Sequence, residues 1–370
     1  MDKDWDAVLK ENIPLYIEAK DSFQYYLAIA ATVKEICDTH SSVINNTNGY
    51  GPFGDLYFPF SLRILNDQVV VTNDFFSIDS LRKKDGIANG DIIKKIDNIP
   101  IEVWRAKYEK YVSASNLPSQ NKMVALYLLK GYSQATNLSI ERDGKIINLV
   151  GHRYSLNYLN SLEKKPDTPK NWELITKNIG YLNTQYLNPK SLRKAMKHLK
   201  KTEKLILDLR KVSPTLDYGS FLYYFSDNNK RYFRYFIADP NMPGHFIETE
   251  KEGVAPAKKL YPYYKGHLIV LIDEYKQSSG ETLCLATKTL PKVTFIGGQT
   301  AGANGYTTVF YLPGGYAVRI SGAGVYFPDG SQFQRIGIKP DIYVNITLKG
   351  ITAGKDEILE RAIAFARNGK

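Results

Sequence analysis

The sequence GHLIVLIDEYKQSSGETLCLATKTLPKVTFIGGQTAGANG, residues 266–305, decides the fold. Its apolar run His267–Ile272 is short and continuous, which predicts a strand buried on both faces. Apolar residues then recur at helical spacing over 281–290, and Pro291 predicts where that helix has ended. Residues 293–296 form the next apolar run. Strand, helix and strand in this order predict a βαβ unit and a mostly parallel sheet.

Ser278 and Ser279 fall at the turn between the first strand and the helix. Backbone N–H groups converge at a helix start, so a serine there can act as a nucleophile beside an oxyanion hole. Ser-Ser-Gly before a helix is also an ordinary capping sequence, and on this local pattern alone capping is the more frequent explanation. The two serines indicate chemistry only in combination with other motifs.

The composition is that of a globular protein with room for two or three domains. The chain has 370 residues, of which 43% are hydrophobic and 24% are charged. Its net charge of +11 comes from Lys and Arg spread among acidic residues, and no nucleic-acid-binding motif accompanies them. We therefore expect a solvated basic surface and no nucleic-acid partner.

Neither a disulfide, a metal nor a cofactor is predicted. Cys37 and Cys284 lie far apart in apolar helical patterns, and both are expected to be small buried side chains. The sequence has no metal-ligand spacing and no phosphate-binding loop. It has no apolar run long enough to span a membrane, and its first residues, MDKDW, do not resemble a signal peptide.

The first part of the chain is predicted to be helical. Apolar spacing over 5–38 indicates two or three helices, with a break at Pro14. The segment CDTHSS, residues 37–42, follows directly. A histidine after a helix most often caps carbonyls or packs, and on local grounds that is the expected role of His40.

The middle of the chain is predicted to be rich in strands. Turns are expected at Asn66-Asp67 and at Asp143-Gly144, the latter between the strands of a hairpin over 138–149. Residues 85–100, DGIANGDIIKKIDNIP, resemble the centre of a PDZ domain, in which a short helix leads into a Gly-Asp-x-Ile strand. Capture of a peptide there and a purely structural insertion are both open, because no carboxylate-binding loop is visible. Residues 154–171 are predicted to be a connector, and His152 a structural residue.

From Ile179 onward the pattern alternates between strands and helices. A strand at 179–182, a helix at 189–199 and a buried strand at 205–210 repeat the βαβ arrangement. Residues 221–247 are dense in Tyr and Phe, which could line a peptide groove or cover the core, and the core is the slightly favoured explanation. An amphipathic helix over 356–366 is expected near the end.

Five motifs occur here in a set order, namely LIDEYKQSSGE at 271–281, GGQTAG at 297–302, LPGG at 312–315, YFPDG at 326–330 and GIKPD at 337–341. In this order they resemble the C-terminal processing, or tail-specific, serine peptidases, in the branch closer to tricorn protease cores. The resemblance covers nearly the whole chain and is densest from Ile179 onward. It implies a mixed α/β (α+β) fold with a crotonase/ClpP-like core of βαβ units. It also implies an N-terminal helical segment at 1–50, a PDZ-like domain at 51–155 and a serine peptidase core at 172–370.

The resemblance assigns the nucleophile and its oxyanion donors. In that family the nucleophile is the serine three residues before the glutamate that opens the helix, which here is Ser278. The backbone N–H of Ser279 would supply one donor. The second donor comes from a Gly-rich turn after an Asp-Leu-Arg strand end, but here the turn 211–217 lacks paired glycines. Any N–H in 212–215 could then serve.

The resemblance also assigns the general base, although this sequence departs from the family pattern. Most members pair the serine with a lysine in a Thr-x-Gly-Lys-Gly turn, whereas here Ala303 stands in the lysine's place. A Ser–Lys dyad is therefore excluded unless another lysine reaches in. The tricorn-like branch uses a histidine with a glutamate, and these places correspond to His40 and Gln334, while Thr39 falls where an assisting serine stands. Glutamine can orient a histidine but cannot stabilise imidazolium with a charge.

The implied function is a serine endopeptidase that cleaves extended or C-terminal peptides through an acyl-enzyme on Ser278, with His40 as the general base. Its partners would be peptides or unfolded proteins, and relatives are often exported to the cell envelope. The lost lysine, glutamate and glycines leave a second hypothesis open, a non-catalytic relative that binds peptides. An esterase is less favoured, because no Gly-x-Ser-x-Gly elbow is present. The oligomeric state and the cleavage specificity do not follow from the sequence.

Overall fold

The computed structural model describes residues 3–45, 53–74, 76–163, 171–213, 216, 221–225, 231–242, 244–249 and 263–369. Contacts between Cα atoms divide the chain into two compact units. The N-terminal unit comprises Met1–Lys165, Thr308–Ile320 and Ile346–Lys355, and the core unit comprises Pro166–Thr307, Ser321–Asn345 and Asp356–Lys370. The division into 1–50, 51–155 and 172–370 stays a prediction, because these units group residues by contact and not by sequence family.

The helices are α1 (Trp5–Glu18), α2 (Ser22–Lys34), α3 (Asp79–Lys84), α4 (Ile101–Glu109), α5 (Leu117–Leu128), α6 (Leu156–Leu162), α7 (Pro189–Leu199), α8 (Ser279–Lys288), α9 (Leu348–Thr352) and α10 (Glu357–Asn368). The strands are β1 (Ser42–Asn45), β2 (Leu56–Tyr57), β3 (Ser61–Leu65), β4 (Gln68–Thr72), β5 (Ile92–Ile96), β6 (Ile99–Pro100), β7 (Lys130–Gly131), β8 (Ala135–Arg142), β9 (Lys145–His152), β10 (Tyr154–Ser155), β11 (Trp172–Thr176), β12 (Ile179–Asn183), β13 (Lys204–Asp208), β14 (Arg234–Ala238), β15 (Phe246–Thr249), β16 (His267–Ile272), β17 (Val293–Gly297), β18 (Thr307–Leu312), β19 (Tyr316–Ser321), β20 (Ala323–Tyr326) and β21 (Ile342–Tyr343).

The N-terminal unit is built on an antiparallel sheet in the order β3-β4-β5-β8-β9, with β6 beside β5. Its apolar residues form one core with α4 and α5, in which Val69, Val71, Val124 and Ile140 are fully buried. Burial of such side chains contributes about 1.5–3 kcal/mol each. Two smaller sheets, β10-β2-β7 and β1-β19-β18, belong to the same unit.

Both predicted hairpin turns are confirmed. Asn66 and Asp67 have φ of 47° and 65° between β3 and β4, and Asp143 and Gly144 have φ of 50° and 73° between β8 and β9. Two-residue hairpin loops favour positive φ at both positions, because the backbone twist of such a turn matches the twist of the strands. A short helix, α3, precedes the Gly-Asp-x-Ile strand β5, but it ends at Lys84, before the stretch 85–100 in which the resemblance placed it. Peptide capture by this region stays a prediction.

The core unit is a six-stranded sheet in the order β11-β12-β13-β16-β17-β21. Five of these strands run parallel to one another, namely β12, β13, β16, β17 and β21. Strand β11 pairs antiparallel with β12 at one edge. The predicted buried strand is confirmed, because Leu268–Ile272 in β16 are all buried. The predicted helix and the following strand are confirmed as α8 and β17. A second, three-stranded sheet has the order β15-β14-β20.

The aromatic run at 221–247 covers the core. Phe221, Phe225, Phe233 and Tyr235 are buried and pack in the same hydrophobic cluster as the central sheet. Their rings bury a large apolar area, which explains why this irregular segment is dense in aromatic residues. The core explanation is therefore confirmed for the part of the run that the structure describes.

The predicted helix break at Pro14 is wrong. Helix α1 continues through Pro14 to Glu18, and the chain breaks at 19–21 instead. A proline inside a helix costs about 3 kcal/mol, but α1 packs against α2, and Tyr16 Oη lies 2.9 Å from Thr32 Oγ1. Tertiary contact thus overrides the local penalty.

Two smaller expectations also need correction. Cys284 is buried as predicted, whereas Cys37 is half-buried and has a φ of 54°, because it turns the chain after α2. Both thiols are free. The predicted connector at 154–171 contains helix α6, capped by the Ser155 hydroxyl, and its part at 164–170 lies outside the described residues.

His152 pairs with Asp85 at 2.8 Å, in keeping with a structural role.

Candidate active site

Ser278 occupies a strained turn between β16 and α8. It stands at the N-cap of α8 with φ 56° and ψ −129°, a conformation that L-residues rarely adopt. Its side chain makes no capping hydrogen bond to the helix. The capping role that the local pattern favoured is therefore wrong for Ser278. Strain of this kind clusters at functional sites, where surrounding contacts impose it.

The contacts that impose this conformation come from the turn 300–305. Ser278 N–H donates to the carbonyl of Ala303 at 2.7 Å, and Ala301 N–H donates to the carbonyl of Lys276 at 2.8 Å. Thr282 Oγ1 lies 3.1 Å from Asn304 Oδ1. The turn that carries a lysine in most relatives therefore pairs with both sides of Ser278 here.

The carboxylate of Glu281 fixes that turn from within. Glu281 is fully buried and accepts hydrogen bonds from Thr300 Oγ1, Gly302 N–H at 2.7 Å and Ala303 N–H at 2.9 Å. Bonds from N–H groups to an ionised carboxylate are stronger than neutral ones. The sequence identified Glu281 only as the glutamate that opens the helix after Ser278. Its anchoring role has no local signal, because its partners lie about 20 positions further along the chain.

The GIKPD motif interlocks with the same turn. Ile338 N–H donates to Thr300 Oγ1 at 2.8 Å, and Arg335 N–H donates to the Gly302 carbonyl at 2.6 Å. Gly302 and Gly337 both have positive φ, and a Cβ on Gly337 would lie 2.6 Å from Thr300 Oγ1. No other residue type fits so close an approach at that backbone conformation. The separate motifs therefore meet around one buried carboxylate.

Gln334 reaches this turn as well. Asn304 N–H donates to Gln334 Oε1 at 3.4 Å, and Gln334 Nε2 donates to Ser321 Oγ at 3.2 Å. Gln334 is half-buried, and its backbone N–H donates to the Val325 carbonyl. The structure thus brings Gln334 to the turn whose Ala303 carbonyl accepts from Ser278 N–H, and its role in catalysis stays a prediction.

The predicted oxyanion donors lie at two strand ends of the core unit. Ser279 is the first residue of α8 and is exposed. The other turn follows β13, where Thr184 Oγ1 lies within hydrogen-bond distance of the carbonyls of Asp208 (2.8 Å) and Lys211 (2.7 Å). Ser213 N–H donates to the Thr184 carbonyl at 2.9 Å. Of the predicted second-donor residues 212–215, positions 214 and 215 lie outside the described residues.

Lys276 is a feature that sequence reasoning missed. Only 6% of Lys276 is exposed, and its Nζ lies 3.5 Å from the place of a Cβ on Gly280. Burial lowers the pKa of this lysine, and the nearby Cys284, Asp273, Asp208 and Glu281 partly oppose that shift. The sequence left room for another lysine to approach the serine, and Lys276 is the candidate in the core unit.

His40 lies in a buried turn of the N-terminal unit. Its backbone N–H donates to Asp38 Oδ1 at 2.7 Å, and Ser41 N–H donates to the Asp38 carbonyl at 2.9 Å. Only 9% of His40 and 7% of Thr39 are exposed. Burial lowers the pKa of His40, the Asp38 carboxylate opposes that shift, and Arg319 and Lys122 add to it. A neutral imidazole at pH 7 is the form that can accept a proton.

The predicted residues thus fall into two groups. Ser278, Ser279 and Gln334 lie around one turn of the core unit, and His40 and Thr39 lie in one turn of the N-terminal unit. Pairing of Ser278 with His40 stays a prediction. Within the described ranges, no cluster of His, Cys, Asp and Glu could hold a metal ion, and no helix is long and apolar enough to cross a membrane.

Two family models match the chain. Residues 178–344 match Peptidase family S41, and residues 71–151 match the N-terminal domain of the Bacteroidetes S41 peptidase family. Together they cover more than half of the chain. Both matched models describe the same peptidase family. The chain belongs to peptidase family S41, as its motifs predicted.

Known proteins agree with this assignment. A carboxy-terminal-processing protease of Bartonella bacilliformis is 35% identical over 97 residues, which are 25% of this chain and 22% of that protein. The chain therefore spans about a fifth of the length of this curated relative. The structure of mature CPAF complexed with lactacystin is similar over 100% of this chain and 94% of that one, with a TM-score of 0.74 and 14% identity. A peptidase structure from Parabacteroides merdae has a TM-score of 0.58 and 18% identity over 98% of this chain and 89% of that one. Identities this low confirm the fold alone.

We predict that Glu281→Gln destabilises the protein by about 2–3 kcal/mol, because an amide NH₂ would face the N–H groups that the carboxylate now accepts. Urea unfolding measures the free energy of unfolding of each variant. The matched control is Glu102→Gln, since Glu102 is also in a first helical turn, in α4, but is exposed. Equal stability of the two variants would contradict the anchoring role of Glu281.

We predict that Ser278→Gly is more stable than Ser278→Ala by about 1 kcal/mol, because glycine relieves the strain of the positive φ. Ser278→Ala should leave the stability of the native chain nearly unchanged, since the hydroxyl makes no capping bond. Unfolding of both variants in urea measures the difference. A less stable glycine variant would show that the turn is not strained.

Proposed function

We propose that the protein is a serine endopeptidase that uses Ser278 as its nucleophile. The observation that supports this most directly is the conformation of Ser278, whose φ is 56° and whose hydroxyl does not cap the helix that follows. A strained serine at a strand-to-helix turn presents its Oγ outward and lies beside helix N–H groups. Membership of family S41 supports the same reaction class.

In the proposed reaction, Ser278 Oγ attacks the carbonyl carbon of a peptide bond while His40 takes the hydroxyl proton. The N–H of Ser279 and an N–H in 212–215 stabilise the oxyanion. His40 then gives the proton to the leaving amine, and water hydrolyses the acyl-enzyme by the same route in reverse order. Gln334 and Thr39 orient the histidine. Because Gln334 carries no charge, it stabilises the imidazolium less than a glutamate would.

The proposed substrates are extended or C-terminal segments of polypeptides. The Bartonella relative is a carboxy-terminal-processing protease, and the family resemblance extends over the region 51–155, where a PDZ-like domain is predicted. A domain of that type adds an extended peptide to a sheet edge. We also propose that the protein works in the cell envelope, as tail-specific peptidases often do.

We predict that a fluorophosphonate probe labels the native chain and does not label Ser278→Ala. His40→Ala should react about 100-fold more slowly, because a general base contributes that order of rate. His245→Ala, at an exposed histidine of the core unit, is the matched control and should react like the native chain. In-gel fluorescence against time measures each rate.

The arms of this experiment separate the hypotheses. If native protein is labelled no faster than Ser278→Ala, the peptidase proposal fails and the peptide-binding alternative stands. If Lys276→Met loses labelling and His40→Ala retains it, the buried lysine next to the α8 start is the base instead. Loss in both variants would assign the proton transfer to His40 and an electrostatic role to Lys276.

We predict that the labelling rate falls in acid with a midpoint below pH 6.5, the ordinary pKa of histidine, because burial lowers the pKa of His40. The sign follows from the base being active when neutral, so activity is present above the midpoint and lost as pH falls through it. Asp38→Asn should lower the midpoint further, since the Asp38 carboxylate favours the charged imidazole. A midpoint above pH 6.5 would contradict His40 as the titrating base.

A further inference from the structure

Two serines outside the S41 motifs bond to the turn that carries His40. Ser113 and Ser115 lie in the loop between α4 and α5. Ser113 Oγ donates to the Asp38 carbonyl at 2.9 Å and accepts from Asp38 N–H at 3.1 Å. Ser115 Oγ accepts from Thr39 N–H at 2.9 Å and lies 3.1 Å from Thr39 Oγ1. Ser115 N–H in turn donates to Thr39 Oγ1 at 3.0 Å. Residues about 75 positions apart in the chain are thus joined by five hydrogen bonds.

These bonds matter because the backbone of the turn is strained. It contains a non-glycine residue at positive φ, Cys37 at 54°, directly before Asp38. Such a conformation costs on the order of 1–3 kcal/mol and persists only when neighbouring contacts impose it. Ser113 is 6% exposed and Asp38 is 4% exposed, so water does not replace a lost bond at low cost. The Ser113 hydroxyl bonds to both backbone groups of Asp38, and the Asp38 carbonyl also accepts from Ser41 N–H.

We propose that Ser113 and Ser115 are positioning residues that hold the imidazole of His40 in its working orientation by fixing the backbone of Asp38 and Thr39. The expected effect on the labelling rate rests on the proposed function. The expected effect on the pKa of His40 does not depend on that function. General-base catalysis is sensitive to displacements of about 1 Å, which can cost about 100-fold in rate.

The five hydrogen bonds from Ser113 and Ser115 to Asp38 and Thr39 form a clamp, and the electrostatic surroundings of His40 depend on it. The charged groups that face the imidazole are Asp38 from its own turn, Lys122 from α5 and Arg319 from β19. Burial is the largest cause of the lowered His40 pKa. If the clamp opens, water reaches the ring, and the pKa of His40 moves up towards its ordinary value.

The experiment compares Ser113→Ala with Ser61→Ala, an unusually close match. Ser61 is 3% exposed in the same unit, and its Oγ also donates to one backbone carbonyl (2.7 Å) and accepts from the N–H of the same residue (2.8 Å), here Phe76. We expect Ser113→Ala to lower the maximal fluorophosphonate labelling rate about tenfold, with half-saturating probe concentration unchanged, while Ser61→Ala changes neither. Ser113→Thr, which keeps a hydroxyl, should recover part of the rate.

A double-mutant cycle tests the route through His40. In a His40→Ala background, Ser113→Ala should cause no further loss, because the group that it positions is absent. An equal loss in both backgrounds would show a general effect on the fold and would overturn the proposal. Failure of Ser278 labelling in the native chain would instead overturn the proposed function.

A measurement on the histidine decides the positioning role in either case. The pKa of His40 is followed by nuclear magnetic resonance of its imidazole in the native chain, Ser113→Ala, Ser115→Ala and Ser61→Ala. We expect it to rise in both clamp variants and to be unchanged in Ser61→Ala. An unchanged His40 pKa in the clamp variants would overturn the proposal even if the protein proves to be an active peptidase.

Discussion

The buried carboxylate of Glu281 is the interaction on which the core unit's site depends. A charge placed where no part of it is exposed is stable only when hydrogen-bond donors surround it, and the turn at 300–303 supplies them. The same turn carries the carbonyl that accepts from Ser278 N–H, and its Thr300 accepts from Ile338 N–H. One desolvated charge therefore sets the geometry of three segments that are far apart in the sequence.

The two turns that carry the predicted catalytic residues are stabilised in different ways. In the core unit, Ser278 follows the central strand in a strained turn, and the Glu281 carboxylate holds the neighbouring turn in place. In the N-terminal unit, the turn after α2 carries the histidine, and neutral hydroxyls supply the rigidity. Because these hydroxyls are neutral, the pKa of His40 is set by burial and by the charges of Asp38, Arg319 and Lys122.

The sequence predicted the parts of this molecule that local physics determines. The buried strand β16, helix α8, strand β17 and both hairpin turns follow from apolar period and turn residues. It failed at Pro14, where packing against α2 outweighs the proline penalty, and at Ser278, where capping was locally the better explanation. The roles of Glu281 and Lys276 were out of reach, because burial and partners at long range decide them. The residue assignments to Ser278, Ser279, His40, Thr39 and Gln334 came from the resemblance, not from periodicity.

Ala303 is fully buried in the turn that bonds to Ser278. Its side chain has no exposed surface, its N–H bonds to Glu281, and its carbonyl accepts from Ser278 N–H. A lysine reintroduced at this place would need space for a long side chain inside packed surroundings, and its charge would have to be buried. The substitution Ala303→Lys would therefore disturb the turn whose carbonyl accepts from Ser278 N–H. The packing around this alanine therefore opposes the return of a lysine to this position.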